Sequence, residues 1–203
     1  METQTAIEQR RSVKHYDTDF EMPEEHVQQL LDLALLSPTS FNIQNWRFVH
    51  VRDAELRQQL RAAAWDQAQV SEAQMLLVLC GDVKSWKRDP ARYWRNAPPE
   101  IQQQIVPMIG DFYESRGEGM QEDEVHRSCG IAAQTLMLAA KAMGYDSCPM
   151  VGFDPEKVAE LIRLPKDHVL SLMLAIGKAA KPARPRGGQL AKEEVVVQDR
   201  FPA

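Results

Sequence analysis

Residues 75–82 read Met-Leu-Leu-Val-Leu-Cys-Gly-Asp, a continuous apolar run closed by a glycine and an acid. Such a run is typical of a β-strand whose two faces are both covered. A second run of the same kind ends at Gly177. We therefore expect these two segments to lie inside a sheet that has helices packed on both sides.

Segments with helical or alternating periodicity surround the two buried runs. Asp53 and Asp154 are suited to cap helices, Ser37-Pro38 ends a helical run, and Gly117 begins a break between two others. Strands that alternate with helices predict a three-layer α/β or α+β protein. The predicted helices cover residues 23–36, 53–61, 100–114, 122–143 and 154–162, and the predicted strands cover 47–51, 75–82, 146–152 and 170–177, with 195–197 as a possible edge strand.

The composition is that of an ordinary globular protein of 203 residues, with 44% hydrophobic and 26% charged residues. We expect one domain over residues 1–203, because this length supports one substantial core. A formal charge of -5 argues against a general nucleic-acid binder. No apolar run has membrane-spanning length, and the polar N-terminus does not have the pattern of a signal peptide. The sequence thus predicts a cytoplasmic protein with no nucleic-acid or membrane partner.

Several common catalytic sites are not indicated. The histidines and cysteines lack metal-ligand spacing, so we expect no metal site and three buried free thiols, Cys80, Cys129 and Cys148. The sequence contains no Gly-x-Ser-x-Gly elbow, no phosphate-loop motif and no Gly-x-Gly-x-x-Gly. A nucleotide cofactor would therefore bind without a dinucleotide-binding fold.

Positive charge is concentrated in two short stretches at opposite ends of the chain. Arg10-Arg11-Ser12-Val13-Lys14 lies near the N-terminus, and Arg184-Pro185-Arg186 lies near the C-terminus. Guanidinium groups match the oxygens of a phosphate, and a lysine adds a movable charge. The two stretches either converge on one small anion or are independent surface charge.

Four motifs resemble the flavin-dependent nitroreductase family, in the family's order and over nearly the whole chain. The closest similarity is to the compact bacterial NAD(P)H nitroreductases. The most specific motif is Ser37-Pro-Thr-Ser-Phe-Asn-x-Gln-x-Trp46, and Arg10-Arg-Ser-x-Lys14 is the next. The others are residues 149–154 (Pro-Met-Val-Gly-Phe-Asp) and residues 184–186.

The resemblance implies an α+β fold with a central mixed sheet, and an intertwined homodimer that holds two FMN molecules at the subunit interface. It implies that residues 178–203 form a tail that reaches the partner subunit and adds to its sheet. Residues 83–120 would form an excursion that caps the pocket. The helix rich in small residues, 122–143, would then pack against its symmetry mate, although packing against its own sheet is the alternative.

The same resemblance assigns roles to individual residues. Lys14 would lie at the pyrimidine edge of the flavin, where its charge favours the reduced state. Asp66 departs from the pattern, because some relatives carry asparagine there and lysine at the position of Gln69. The remaining expected FMN contacts are Arg10, Arg11, Ser12, Arg184 and Arg186 around the phosphate and ribityl chain, Pro38, Ser40 and Asn42 from the partner, Val151 and Gly152 near N5, and Gln67 and Gln69 at the polar edge.

The expected activity is hydride transfer from NADH or NADPH, through FMN, to a small electron-poor acceptor such as a nitroaromatic or a quinone. Enone reduction, dehalogenation and flavin breakdown are alternatives on the same scaffold. A non-enzymatic dimer that binds an anion through its basic termini is the alternative from another class. Four aromatic residues either line the acceptor pocket or cover the core: Trp86, Tyr93, Trp94 and Phe112.

Overall fold

The computed structural model describes residues 1–201 and confirms the α+β fold, with helices on both faces of one four-stranded sheet. Three short 3-10 turns lie at Ser40–Asn42, Ser85–Lys87 and Pro90–Trp94. The last two residues of the expected tail lie outside the described range. The helices are α1 (Thr3–Gln9), α2 (Glu24–Leu35), α3 (Ala54–Ala63), α4 (Gln69–Glu72), α5 (Pro99–Ala142), α6 (Pro155–Leu161) and α7 (Lys192–Val195), and the strands are β1 (Trp46–Val51), β2 (Met75–Asp82), β3 (Asp146–Met150) and β4 (His168–Gly177).

The strand β2 lies inside the sheet, as its apolar sequence predicts, and all of its residues are buried. Because successive side chains of a strand point to opposite faces, Met75, Leu77 and Leu79 pack against α2 and α5. Leu76, Val78 and Cys80 pack on the other face, against α3, α4 and α6. Two separate cores therefore flank the sheet, and this is the expected three-layer arrangement.

The strand order is β1-β2-β4-β3, and each of these pairings is antiparallel. The expected mixed character is limited, in the part of the chain that is described, to one parallel bridge between Ser12 and Ser147. The edges of the sheet are thus β1 and β3. The N-terminal segment is attached to the β3 edge through this bridge.

The long helical segment α5 is interrupted at Gly117, whose φ of 74° is one that glycine adopts readily. The predicted break lies at this residue, and helical backbone resumes directly after it. The small residues Ala132, Ala133 and Ala140 are buried against the sheet of their own chain. This contact explains them without a symmetry mate. A Cβ on Gly81 would lie 2.8 Å from Cγ2 of Val125, so glycine is what permits the close approach of β2 and α5.

Both predicted helix caps form. The amide of Leu56 donates to the Asp53 carboxylate at 2.7 Å, and the amide of Lys157 donates to Asp154 at 3.0 Å. The three cysteines are free and buried, as expected. Within residues 1–201, no helix combines the length and the apolar character that crossing a membrane requires.

The tail does not form the predicted edge strand in the chain by itself. Val195 ends the short helix α7, and Val196 and Val197 follow it without regular structure. These valines are 59%, 54% and 41% exposed, and Leu190 and Phe201 are 65% and 82% exposed. The apolar side chains in this last part of the tail are largely exposed, and within residues 1–201 the segment has no strand partner.

Candidate functional site

The N-terminal basic stretch is extended and lies beside β3. The amide of Val13 donates to the carbonyl of Ser147 at 3.0 Å, and the Val13 side chain is buried in the core. Alternation along an extended segment directs Arg10, Ser12 and Lys14 away from Val13, to the opposite side. The apolar residue between the polar ones therefore fixes the direction in which the three polar side chains point.

The start of the tail runs alongside the same stretch. Tyr16 and Ala179 form an antiparallel bridge, and the amide of Asp17 donates to the carbonyl of Lys178 at 2.8 Å. A cavity of about 390 Å³ lies between the two segments, with Lys14 on one wall and Arg184 on the other. The fold thus brings together the two basic ends that are about 170 residues apart in sequence.

Two of the arginines bind carbonyl groups at the end of α1, Arg11 from the same segment and Arg186 from the tail. Arg11 Nη1 donates to the carbonyls of Glu8 at 2.6 Å and Arg10 at 2.9 Å. Arg186 Nη2 lies 3.2 Å from the carbonyl of Ile7 and 3.4 Å from those of Glu8 and Arg10. A cation at a helix C-terminus also interacts favourably with the helix dipole. Arg186 therefore links the tail to the N-terminal segment, whereas Arg11 stabilises the end of α1 within that segment.

The positive charge in the cavity is not neutralised by the protein. Among residues 1–201, Arg10, Lys14 and Arg184 take part in no ion pair, and Arg10 Nη1 is buried without a hydrogen-bond partner. Burial raises the pKa of the nearby Cys148 thiol, and the charges of Lys14 and Arg10 partly oppose that rise. A buried cationic donor without an acceptor is costly, so the arrangement favours an anionic ligand.

The loop after β3 is held through its backbone by two glutamines. Gln67 Nε2 donates to the carbonyl of Gly152 at 2.7 Å, and the buried Gln69 donates to Gln67 Oε1 at 3.0 Å. A Cβ on Gly152 would lie 3.1 Å from the Trp65 ring, so this position suits glycine. Val151 is 78% exposed. Gln67 and Gln69 therefore hold the loop in position by fixing one carbonyl group.

Asp66 is exposed and forms an ion pair with an arginine of α3. Its carboxylate accepts a hydrogen bond from Arg61 Nε at 2.6 Å, and its side chain is 81% exposed. The acid at this position is thus neutralised by an arginine of α3. The departure from the family's pattern places no unpaired negative charge beside Gln67 and Gln69.

The turn with Ser40 and Asn42 lies at the other edge of the sheet, because it leads into β1. Asn42 Nδ2 donates to the carbonyl of Tyr93 at 2.8 Å, and Trp94 Nε1 donates to the carbonyl of Phe41 at 2.9 Å. Phe41 and Asn42 have φ values of 49° and 55°, a conformation that needs such support. In the single chain this turn, together with Pro38, is not brought to the basic cavity.

The aromatic residues between β2 and α5 form a small separate core that supports this turn. Trp86 is buried and stacks on Tyr113 with ring centroids 5.7 Å apart. Tyr93, Trp94 and Phe112 pack against the same cluster. Trp86 therefore covers a core, whereas Tyr93 also lines a surface cavity.

Asp82, Asp167 and His168 lie close together, but arginines occupy the carboxylates. Asp82 Oδ2 pairs with Arg47 at 3.2 Å and with Arg88 at 3.1 Å, and Arg88 also pairs with Asp167. Burial lowers the pKa of His168 and favours its neutral form. This cluster is an ion-pair network that joins the excursion to the sheet.

Sequence reasoning missed two features of the molecule. The bond from Gln67 to Gly152 joins residues 85 positions apart, and no local pattern indicates it. The second feature is a cavity at the β1 edge that contains Arg47, Arg92 and Arg95. In the sequence, this cavity is indicated only by the arginines that flank a tyrosine and a tryptophan in residues 92–95.

Comparison with known proteins gives one consistent result. The model of the nitroreductase family matches residues 7–178. Protein DrgA of Synechocystis is 52% identical over 183 residues, which cover 90% of this chain and 87% of DrgA. An oxygen-insensitive NADPH nitroreductase of Helicobacter pylori is 30% identical over 184 residues, 87% of each chain. The crystal structure of a proposed nitroreductase from Exiguobacterium sibiricum in complex with FMN has a TM-score of 0.90 and 29% identity, and 97% of each chain is covered.

Proposed function

The chain belongs to the nitroreductase family, and on this basis we propose that it is an FMN-dependent NAD(P)H oxidoreductase that acts on electron-poor acceptors such as nitroaromatics and quinones. When bound, FMN supplies the hydride chemistry, and the protein supplies binding, orientation and electrostatics. The FMN-bound relative and the NADPH-dependent relative support this assignment. The single observation that carries it is the cavity at which both basic ends of the chain meet.

The residues of this cavity suit the phosphate end of FMN. The unpartnered Arg10 Nη1 is a donor that a phosphate oxygen would satisfy. Ser12 and Lys14 line one wall of the cavity and Arg184 lines the other, and Arg10 precedes Ser12 in the same extended segment. Arg11 stabilises the end of α1, and Arg186 links the tail to it. We assign Arg10, Ser12 and Arg184 to direct binding, and Arg11 and Arg186 to the support of the site.

Lys14 and the loop after β3 suit the ring of the flavin. Lys14 is exposed on the same side of the extended segment as Ser12. Its ammonium group would stabilise negative charge on the pyrimidine end of the ring. The carbonyl of Gly152 is already bound to Gln67, which leaves the amide groups of Val151 and Gly152 to face N5. Gln69 acts through Gln67, and both are positioning residues in this assignment.

A homodimer is needed to complete this site. The turn with Ser40 and Asn42 lies near the β1 edge, whereas the basic cavity lies at the β3 edge, three strand spacings or about 14 Å away. The strands β2 and β4 lie between these edges, so a ligand bound at one edge of the sheet is separated from the other edge of the same sheet. In a two-fold dimer, the β1 edge of one subunit closes the β3 edge of the other, so that Pro38, Ser40 and Asn42 come from the partner.

The exposed surface of the single chain supports the dimer. The chain exposes 12238 Å², whereas a folded monomer of 23.1 kDa is expected to expose about 9,700 Å². Much of the exposed apolar surface lies in the tail and on the outer face of α5, where Ile131 is 44% exposed. An intertwined dimer with tails that cross to the partner would bury both regions.

A cofactor and donor assay tests this function. Purified protein is expected to be yellow and to release about one FMN per chain on denaturation. Under anaerobic conditions, NADPH or NADH is expected to reduce the bound flavin and so remove the yellow colour. Re-oxidation of the bleached protein by a nitroaromatic, a quinone or an enone then identifies the acceptor class. A colourless protein that binds no added FMN would contradict the proposal and favour a non-enzymatic anion-binding dimer.

A further inference from the structure

A second cationic cavity lies at the β1 edge of the sheet, at the opposite edge from the basic cavity of Lys14 and Arg184. Its volume is about 410 Å³, and it lies between the turn that precedes β1 and the 3-10 turn Pro90–Trp94. Three of its eight lining residues are arginines, and none is an acid.

The charge of the three arginines is only partly balanced. Arg47 pairs with the buried Asp82. Arg88 pairs with both Asp82 and Asp167, so that two arginines and two aspartates form one network. Arg47 Nη1 also donates to the carbonyls of Gln44 and Trp46, at 2.9 Å each. Arg47 is therefore a neutralised and immobilised part of the wall. The charges of the other two arginines, Arg92 and Arg95, remain.

Arg92 is held in place before any ligand binds. Its Nη2 donates to Tyr93 Oη at 2.6 Å, and its Cζ lies 4.7 Å from the centre of the Tyr93 ring. Arg95 is exposed and, among residues 1–201, takes part in no ion pair or side-chain hydrogen bond. Two guanidiniums that form no ion pair among residues 1–201 and that line one cavity suit a dianion such as a phosphate monoester.

Asn42 connects this cavity to the cofactor site. It lines the cavity and donates to the carbonyl of Tyr93, and it is one of the residues expected to contact the flavin of the partner. A ligand with phosphates in the cavity therefore extends toward the ring. Nitroaromatics and quinones are commonly uncharged and leave the two arginines unmatched, whereas a reduced nicotinamide dinucleotide carries phosphates at a distance from its reactive ring.

We propose that the cavity of Arg92 and Arg95 binds a phosphate group of the reduced nicotinamide dinucleotide, and that it selects NADPH over NADH through the 2′-phosphate. This inference rests on the proposed function, because it needs a flavin beside Asn42. Because the protein has a formal charge of -5, a local cationic site would favour the approach of an anionic donor.

The test is the steady-state kinetics of FMN-loaded Arg92→Gln/Arg95→Gln protein, with the exposed Arg163→Gln as a matched control. We expect the KM for NADPH to rise about tenfold or more, with kcat and FMN content unchanged, and no effect in the control. A rise for NADPH alone is the expected result, whereas an equal rise for NADH would assign the cavity to the pyrophosphate that both donors share and would overturn the selection of NADPH. Unchanged KM values for both donors, or a rise only for an anionic acceptor such as a naphthoquinone sulfonate, would overturn the proposal.

A binding measurement separates this proposal from the proposed function. Calorimetric titration with adenosine 2′,5′-bisphosphate needs neither turnover nor a reducible flavin. We expect wild-type protein to bind it more tightly than adenosine 5′-monophosphate, and Arg95→Gln to remove most of the difference. Equal affinity for the two ligands in the wild-type protein would overturn the 2′-phosphate assignment, whether or not the protein oxidises NADPH.

Discussion

Replacement of Arg10 and Arg184 together by alanine is expected to weaken FMN binding at least about a hundredfold. Each residue would lose a charge-assisted contact with a phosphate, typically worth about 1.5 to 3 kcal/mol, and the lower value applies because Arg184 is exposed in the single chain. Two such losses amount to about 3 kcal/mol, or roughly two powers of ten in Kd. Fluorescence titration of FMN into the apoprotein measures this change.

Two further variants make that result interpretable. Arg10→Lys keeps the charge but not the planar pair of donors, so an intermediate affinity is expected. The double replacement of Arg163 and Lys166 by alanine removes two exposed cations between α6 and β4 and should leave Kd unchanged. If Arg10→Ala/Arg184→Ala binds FMN as tightly as the wild type while keeping its circular dichroism spectrum, the cavity is not the phosphate site.

Replacement of Lys14 by alanine is expected to leave FMN bound but to slow its reduction by NADPH about 10- to 100-fold. In a closed site, removal of one preorganised donor that faces a developing negative charge commonly lowers the rate by at least this factor. The rate falls less where water has access. The side chain of Lys14 is exposed in the single chain, so the lower part of this range is favoured. Stopped-flow absorbance at saturating NADPH measures the rate.

The reduction potential provides a readout that a purely structural role of Lys14 would not change. A lower potential in Lys14→Ala, with partial recovery in Lys14→Arg, is the expected pattern. Wild-type rate and potential in Lys14→Ala would remove this lysine from the mechanism and leave only the other charges of the cavity to be considered.

The sheet and most helices were predictable because their signals are local. The apolar run of β2, the caps at Asp53 and Asp154, and the break at Gly117 each depend on residues that are adjacent in sequence. The two basic ends were also predictable as a pair, since isolated positive stretches in an acidic protein favour a shared ligand. The structure places them on one cavity.

Other parts of the site depend on contacts that a linear sequence does not display. The apolar periodicity of residues 122–143 is the same whether this helix packs on its own sheet or on a partner subunit. In the structure, Ala132 and Ala140 pack on the sheet of their own chain. Valine favours β-strands, but a strand needs a neighbouring strand to pair with. Residues 1–201 of one chain supply no such neighbour for the valines of the tail. The parallel pairing of Ser12 with Ser147 joins distant segments and has no local signature.

The central claim is that each flavin is held by two subunits, one supplying the basic cavity and the other supplying the turn at Ser40. Subunit complementation tests this most directly. Arg10→Ala/Arg184→Ala and a blocking variant, Ser40→Trp, are each expected to bind no FMN as homodimers at a concentration that saturates the wild type. They are then co-expressed with different tags, and the heterodimer is isolated by two successive affinity steps.

If the two halves of the site come from different subunits, the heterodimer has one site with both defects and one site with none. About one FMN per heterodimer, reducible by NADPH at the wild-type rate, is the predicted result. A heterodimer that binds no FMN would contradict the account, because it would mean that the basic cavity and the turn at Ser40 serve the same flavin from within one chain.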